Sequence, residues 1–107
     1  MNPDRIDENK GVSMTYMLSH FWPGATEENY RAEVIACHPS LTELPAGQLH
    51  HFAASTDDGI MITAIWDSKD SCDRFVQEIL LPAQPVEGGF PNPVQEHAAE
   101  TINAISA

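Results

Sequence analysis

One stretch of the sequence limits the possible folds more than any other: QLHHFAAS-TDDG-IMITAIW, residues 48–66. Two runs without Pro, Gly or formally charged residues flank a short polar segment. Asp-Gly in that segment tolerates the positive φ angles that a hairpin turn requires. We therefore expect two antiparallel strands joined by a tight turn. The second strand is largely apolar and is expected to be buried.

A strand and a helix are predicted before this hairpin. SMTYMLSHFW, residues 13–22, contains aromatic and β-branched residues and no breaker, which favours a strand. Thr26 can cap the helix that follows, and Pro39 ends it. Three residues of this helix recur at helical spacing, with Ile35 beside them: Tyr30, Val34 and Cys37. By this periodicity Tyr30 should face the sheet.

A second helix is predicted after Trp66. Asp67 or Ser68 can cap its amino terminus. Its apolar residues follow the i, i+3, i+4, i+7, i+8 spacing of a helix packed on a sheet: Cys72, Phe75, Val76, Ile79 and Leu80. A segment rich in Pro and Gly, residues 82–93, separates this helix from the end of the sequence.

The segment VQEHAAETINAIS, residues 94–106, supports two predictions. Local rules favour a helix, because Asn92 can cap it and Pro93 suits its first turn. A fold ordered strand, helix, hairpin, helix needs instead a fourth strand to close the sheet. We expect a strand in the later part of this segment.

The order β-α-β-β-α-β predicts an α+β, ferredoxin-like fold, a four-stranded antiparallel sheet with both helices on one face. A chain of 107 residues suits one domain. We expect a disordered tail over residues 1–11, which contain too little apolar surface to bury, and a single domain over residues 12–107. Because the sheet is apolar on both faces and the helices cover one, a second cover is expected.

The charge balance argues against several functions. Five basic and sixteen acidic residues give a formal net charge of −11, so nucleic acid is not an expected partner. The longest apolar run, GIMITAIW, is far shorter than the roughly 20 residues that span a bilayer. The polar amino terminus does not look like a signal peptide. We expect a cytoplasmic protein without membrane association, and no motif predicts a metal or a cofactor.

The segment HFAASTDDGIMITAIWDSKDSCDRF, residues 51–75, resembles a known group of proteins. It is similar to the small bacterial proteins of the dimeric α+β barrel superfamily. Those proteins carry a His, small residues, T-D-D-G, a buried strand that ends in W-x-S, and a helix that contains D-R-F. The matching positions are His51, Thr56, Asp57, Asp58, Gly59, Trp66, Ser68, Asp73, Arg74 and Phe75.

The resemblance implies a homodimer in which two sheets pack face to face, with a pocket in each subunit between the sheet and its helices. Related families include antibiotic-biosynthesis monooxygenases that need no cofactor, haem-degrading monooxygenases and polyketide cyclases. The haem-degrading relatives place a His on the helix after the Trp, whereas this chain has RFVQE, residues 74–78. This difference argues against haem degradation with that axial ligand.

Trp66 has two interpretations at this stage. A large aromatic residue at the end of a strand commonly packs in a core or a dimer interface. The resemblance implies instead that Trp66 forms a pocket wall that contacts the ligand. The other residues expected to contact a substrate are also aromatic: Tyr16, Trp22, Tyr30 and Phe75.

His51 and His20 are the candidate catalytic residues. His50 and His51 are adjacent in a strand, so their side chains point to opposite faces. His51 matches the family pattern and could act as a general base or acid, although a hydrogen-bonded structural histidine is the alternative. His20 lies on the first strand, next to the third in this fold. His38 precedes Pro39 at a helix end, where a cation would suit the dipole.

Two functions are open from the sequence. The first is an enzyme, either a cofactor-independent monooxygenase or a cyclase/isomerase, that acts on an aromatic or polyketide-like substrate in an apolar pocket. Either reaction needs a base such as His51 or His20 to form an electron-rich anion or enolate. The second is a non-catalytic ligand-binding or stress-associated barrel homodimer. An open cavity with a histidine aimed into it favours the enzyme.

Overall fold

The computed structural model describes residues 15–83 and 88–107. Over these residues the elements follow the predicted order, and they are listed here by their bounds: β1 (Tyr16–Pro23), α1 (Glu27–Cys37), β2 (Gln48–Thr56), β3 (Gly59–Trp66), α2 (Lys69–Phe75) and β4 (Gln95–Glu100). A π-helical turn, Val76–Leu80, continues α2. The predicted disordered tail, residues 1–11, lies outside the described residues.

The strands form one antiparallel sheet in the order β2-β3-β1-β4, so that β3 and β1 are central. Residues of both helices line one cavity together with a single face of the sheet, which places both helices on that face. The architecture is the predicted α+β, ferredoxin-like one. No helix in the described part of the chain is long and apolar enough to cross a bilayer.

The hairpin between β2 and β3 turns where the sequence predicts, with Thr56 paired to Gly59. The Thr56 hydroxyl oxygen accepts hydrogen bonds from the N–H groups of Asp58 and Gly59, at 3.1 and 3.0 Å. Gly59 has φ +155°, and a Cβ built on it would lie 2.2 Å from the carbonyl oxygen of Trp22 in β1. The backbones of the two central strands therefore approach as closely as they do because this position lacks a side chain.

Gly59→Ala is expected to lower the free energy of unfolding by about 2–4 kcal/mol, because β1 would have to move away from β3. Gly88→Ala is the matched control. Gly88 also has a positive φ, +81°, but among the described residues its Cβ would meet only the Cβ of Ala32, at 3.6 Å. Backbone strain of about 1 kcal/mol is therefore the expected effect. Urea unfolding of both variants measures the difference, and equal losses would contradict the account.

The helices begin at capping residues that the sequence indicates. Thr26 caps α1: its hydroxyl oxygen accepts from the Asn29 N–H at 3.2 Å, and the Asn29 side chain accepts from the Thr26 N–H at 2.9 Å. Such a reciprocal pair satisfies two backbone donors at the helix start. Ser68 caps α2 by accepting from the Ser71 N–H at 3.1 Å. The choice between Asp67 and Ser68 is thereby settled for Ser68.

The buried face of α1 contains one residue that the sequence analysis did not indicate. Ile35, beside the helical stripe, is 67% exposed. Glu33, at 7% exposed, is buried instead, together with Val34 and Cys37. The physical reason is that Glu33 continues the i, i+3, i+4, i+7 stripe that begins at Tyr30, whereas Ile35 lies off it.

The second helix is regular only as far as Phe75, after which the chain forms the π-helical turn. A π turn contains one residue more than an α turn, so it rotates the residues that follow. Leu80 lines the cavity, whereas Ile79 is 40% exposed. The prediction that Ile79 belongs to the packed stripe is therefore wrong.

The fourth strand exists, but the prediction of its place is wrong. It covers Gln95–Glu100, the earlier part of the segment, whereas residues 101–107 are irregular. Its register explains the difference, since Phe21 pairs with Gln95 and Tyr16 with Glu100. The β1 strand begins at Tyr16, so the sheet offers no regular partner to residues further along the chain.

The two faces of the sheet differ in what covers them. On the helix side, Trp66 packs in a core cluster with Ala64 and Cys72. On the opposite face, which we call the outer face, large apolar side chains are solvent-exposed, with Phe52 at 65% and Met61 at 50%. The described part of the chain contains nothing that covers this face.

Candidate functional site

A cavity of about 840 Å³ lies between the sheet and the two helices. All the residues that the sequence singled out for the site line this one cavity: His20, His51, Tyr16, Trp22, Tyr30, Trp66 and Phe75. The strand alternation brings part of this set together, because every second residue of β1 faces the helices. The volume is within the range of small-molecule sites, about 300–1,000 Å³.

His51 projects into the cavity between Gln48 and Tyr30. Its Nδ1 lies 2.9 Å from Oε1 of Gln48. A carbonyl oxygen only accepts, so Nδ1 carries the proton and donates. Nε2 then accepts a hydrogen bond from the Tyr30 hydroxyl at 2.7 Å. His50 is exposed on the outer face, so His51 is the histidine of this pair that faces the helices.

Burial keeps both members of this pair uncharged at neutral pH. Desolvation, together with the nearby His38, lowers the pKa of His51 to about 4. Desolvation raises the pKa of Tyr30 above its ordinary value. The pair therefore consists of an unprotonated ring nitrogen and a hydroxyl that points at it, an arrangement that can move a proton along its hydrogen bond.

His38 joins the same cluster, which the sequence interpretation missed. Its ring lies 5.0 Å from that of His51 and 6.2 Å from that of Phe75. Its Nδ1 donates to the carbonyl oxygen of Glu43 at 3.3 Å. Burial lowers its pKa, so the predicted role of a cation at the helix end is not supported. The sequence indicated only its place before Pro39.

The pH dependence of the free energy of unfolding is expected to reflect the titration of His51. An unfolded His titrates near 6.5, whereas burial lowers the pKa of His51 to about 4. Between these values the unfolded chain binds more protons, so stability rises with pH and is lost as the pH falls through this window. Allowing for solvent screening of this partly exposed ring, the loss is about 1–2 kcal/mol.

Urea unfolding of the wild type and His51→Gln at pH 7 and at about pH 4.5 measures this contribution. We expect the wild type to lose more stability than the variant on acidification. An equal loss in both proteins would show that His51 does not titrate with a lowered pKa. Titrating groups far from His51 cancel in the comparison, whereas His38, with its ring 5.0 Å away, is coupled to His51 and is part of the measured difference.

Trp66 belongs to the core and also to the wall of the cavity. It is 1% exposed and packs in the core, with its ring 5.1 Å from that of Phe75. It also lines the cavity. Its indole N–H is buried and has no hydrogen-bond partner among the described residues. A buried donor of this kind gains when a ligand supplies an acceptor.

The other end of the cavity contains an aromatic pair and a hydrogen bond between a histidine and a carboxylate. Trp22 stacks on Phe90 with ring centroids 4.2 Å apart. His20 meets the edge of Trp22 at 5.5 Å, and its Nε2 donates to Oε1 of Glu96 at 3.0 Å. Phe90 and Glu96 were not predicted from the sequence, because their positions depend on where β4 pairs with β1.

The two candidate catalytic histidines lie at different places in the cavity. His20 pairs with Ile62, and His51 with Ala64, on opposite sides of β3. Strand spacing and rise place their Cα atoms roughly 12 Å apart. His97 points to the outer face because it pairs with Ser19. Only His51 is hydrogen-bonded to another phenolic or imidazole group, which makes it the stronger candidate for proton transfer.

Two thiols also line the cavity. Burial raises the pKa of both Cys37 and Cys72 to about 11. A thiol with such a pKa stays protonated at neutral pH and is a poor nucleophile. Both cysteines are therefore small packing residues, as the sequence predicts for Cys72.

Comparison with solved structures is consistent with this fold. The chain is similar to a crystal structure from Chloroflexus aurantiacus J-10-fl described as a candidate antibiotic biosynthesis monooxygenase. The TM-score is 0.51 and the sequence identity is 18%, over 88% of this chain and 98% of that chain. No family model matches the sequence, and no curated protein matches it.

This likeness defines the class of fold. The antiparallel sheet with two helices on one face is the predicted ferredoxin-like fold, and the similar crystal structure shares it. A fold of this kind supports many reactions, so the activity has to be argued from the cavity itself.

Proposed function

We propose that this protein is a small-molecule enzyme that removes a proton from an aromatic or polyketide-like substrate without a cofactor. The observation that carries the proposal is the neutral His51–Tyr30 pair, joined at 2.7 Å inside a largely apolar cavity. Because both groups are neutral, the pair is not a buried ion pair that stabilises the fold by charge neutralisation. Their arrangement suits a base and its proton carrier.

The shape of the cavity favours a planar ligand. Trp66 and Phe75 form one wall, and Trp22 with Phe90 forms a second aromatic surface further along. Aromatic side chains bind flat rings through offset or edge contacts and exclude water from them. A ring-fused phenol or ketone of two or three rings matches both the walls and the volume.

The proposed proton transfer uses the hydrogen bond already present. The substrate gives its proton to the Tyr30 oxygen, while the Tyr30 hydroxyl proton passes to Nε2 of His51. A His with a low pKa holds this proton weakly, so the transfer is favourable only when the substrate anion lies beside the imidazolium.

The anion then has two possible fates. With an anthrone, dioxygen adds at the deprotonated carbon; one oxygen atom becomes the new carbonyl, and the other leaves as water with the two hydrogens of the original methylene. With a polyketide chain, an enolate carbon would instead attack an internal carbonyl. We propose the oxygenase version first, because the similar solved structure carries a monooxygenase description.

We further propose that the active form is a homodimer. The support is the exposed apolar outer face, on which Phe52 and Met61 stand away from the helices. A second copy packed on this face would bury it and leave each cavity on the helix side free.

Phe52→Glu is expected to convert the dimer into a monomer, because a carboxylate would be desolvated at the centre of the contact. Sedimentation analysis of the wild type and the variant at the same concentration measures the change. Ile35→Glu, exposed on α1, is the control and should remain dimeric. A wild type that is monomeric at high micromolar concentration would contradict this part of the proposal.

A non-catalytic ligand-binding dimer is the second candidate function. One observation favours it: both ring nitrogens of His51 are already engaged, by Gln48 and Tyr30. A histidine held in this way can also serve only to position Tyr30 as a binding group.

The test that separates the two uses anthrone as the probe. Quenching of tryptophan fluorescence measures binding, and an oxygen electrode measures turnover with anthraquinone as the product. Binding with dioxygen uptake well above the buffer rate supports the enzyme. Binding with uptake at the buffer rate supports the ligand-binding protein, and no binding would contradict both.

A further inference from the structure

Glu33 is a buried carboxyl group that the proposed function leaves unused. It is 7% exposed and lines the cavity from α1. Among the described residues its one hydrogen bond comes from the Phe90 backbone N–H to Oε2, at a long 3.4 Å. Its second oxygen has no hydrogen-bond partner among the described residues, and the side chain lines the cavity.

The lack of a basic side-chain partner among the described residues distinguishes Glu33 from the other carboxyls that line the cavity. Glu96 bonds to His20 at 3.0 Å, and Asp73 bonds to Lys69 at 2.7 Å. No Lys or Arg is among the described residues that line the cavity. The other titratable groups of the cavity are the following: Tyr30, Cys37 and His38 from α1 and its end, Tyr16, His20, His51 and Glu96 from the sheet, and Cys72 and Asp73 from α2.

A buried carboxyl without a cationic partner is more stable in its protonated form. Burial raises the pKa of Glu33, and the one backbone hydrogen bond opposes this in part. His51 shifts in the opposite direction. Burial therefore favours the neutral form of both groups, an unprotonated ring nitrogen that can accept a proton and a carboxyl that can donate a hydrogen bond.

On the basis of the proposed function, we propose that Glu33 is a second catalytic residue, a protonated carboxyl that donates a hydrogen bond to the substrate carbonyl oxygen as this oxygen becomes an oxyanion. Glu33 is one helical turn beyond Tyr30, so the two side chains start about 5–6 Å apart on the same face. That separation suits a substrate whose acidic carbon and carbonyl oxygen lie on opposite sides of one ring.

The step balances without any further reactant. The carbon–hydrogen bond of the substrate breaks, and its proton reaches His51 through Tyr30. The electron pair moves into the ring, and the carbonyl π electrons move onto oxygen. The Glu33 O–H stays intact and strengthens its hydrogen bond to that oxygen, so nothing is oxidised or reduced in this step.

Two variants of Glu33 test whether the side chain acts as an uncharged hydrogen-bond donor. Glu33→Gln keeps an uncharged donor of the same shape, whereas Glu33→Met keeps the volume and removes the donor. Anthrone and anthracene are the matched probes, because only anthrone has the carbonyl oxygen. We expect Glu33→Met to bind anthrone about 10-fold more weakly and anthracene unchanged, and to slow dioxygen uptake about 10²-fold. Glu33→Gln should stay within about fivefold of the wild type in both.

Infrared difference spectra provide a readout that does not depend on turnover. The C=O stretch of a protonated carboxyl should be present in the wild type at pH 7 and absent in Glu33→Gln. The presence of this band, together with weaker anthrone binding by Glu33→Met, supports the proposed role of Glu33. If these two results are obtained but no dioxygen is consumed, the oxygenase function fails and the proposal for Glu33 stands. A missing band, or a Glu33→Met variant with wild-type binding and turnover, overturns it.

Discussion

His51→Gln is expected to slow dioxygen uptake with saturating anthrone by about 10²–10⁴-fold, the usual contribution of a general base. Gln can still accept a hydrogen bond from Tyr30, but it cannot take a proton at neutral pH. The affinity for anthrone should stay within about fivefold, since the aromatic walls are unchanged. The loss should therefore be in kcat rather than in binding, as measured with the oxygen electrode and by fluorescence titration.

His50→Gln is the matched control for this prediction. His50 is the neighbouring residue of the same strand, but it is exposed and faces away from the helices. Its replacement should leave the rate of uptake within about twofold, because surface substitutions away from a site have small effects. Equal rates of dioxygen uptake by His51→Gln and the wild type would show that His51 is not the general base.

Trp66→Ala is expected to lower the free energy of unfolding by about 3–5 kcal/mol, the range for removal of a large buried aromatic side chain. Trp66 is 1% exposed and joins β3 to α2 through Phe75. Its indole N–H has no partner among the described residues, so the loss comes from packing and not from a broken hydrogen bond. Urea unfolding with linear extrapolation measures the change.

Ile35→Ala is the control for the Trp66 variant. It also removes an apolar side chain, but Ile35 is 67% exposed on α1. Its effect should be within about 0.5 kcal/mol. If the two variants lost similar stability, Trp66 would not be a packing residue of the core, and its position between sheet and helix would need another explanation.

The fold could be predicted from the sequence largely because the signals that specify its turns and helix starts lie within a few residues of each other. Asp58-Gly59 specifies the hairpin, and Thr26 and Ser68 specify where helices begin. Each of these depends on backbone hydrogen bonds within three residues. The place of β4 could not be predicted in this way, because local rules favoured a helix and the strand exists only by pairing with β1.

The site was predicted only in part, for a similar reason. Aromatic residues and His51 could be selected from periodicity and from the resemblance. His38 was missed because it was interpreted as a helix-end cation, and Glu33 was not considered among the candidate residues. Glu33 was nevertheless detectable, because it is three residues after Tyr30 and four before Cys37 on one helical stripe.

The most direct test of the central claim is hydrogen exchange at the methylene carbon of anthrone, followed by proton NMR in deuterated buffer under argon. Without dioxygen the deprotonated substrate can only be protonated again, so proton removal is observed alone. We predict exchange far above the buffer rate with the wild type, and near the buffer rate with His51→Gln. Exchange at the buffer rate with wild-type protein that demonstrably binds anthrone would contradict the account.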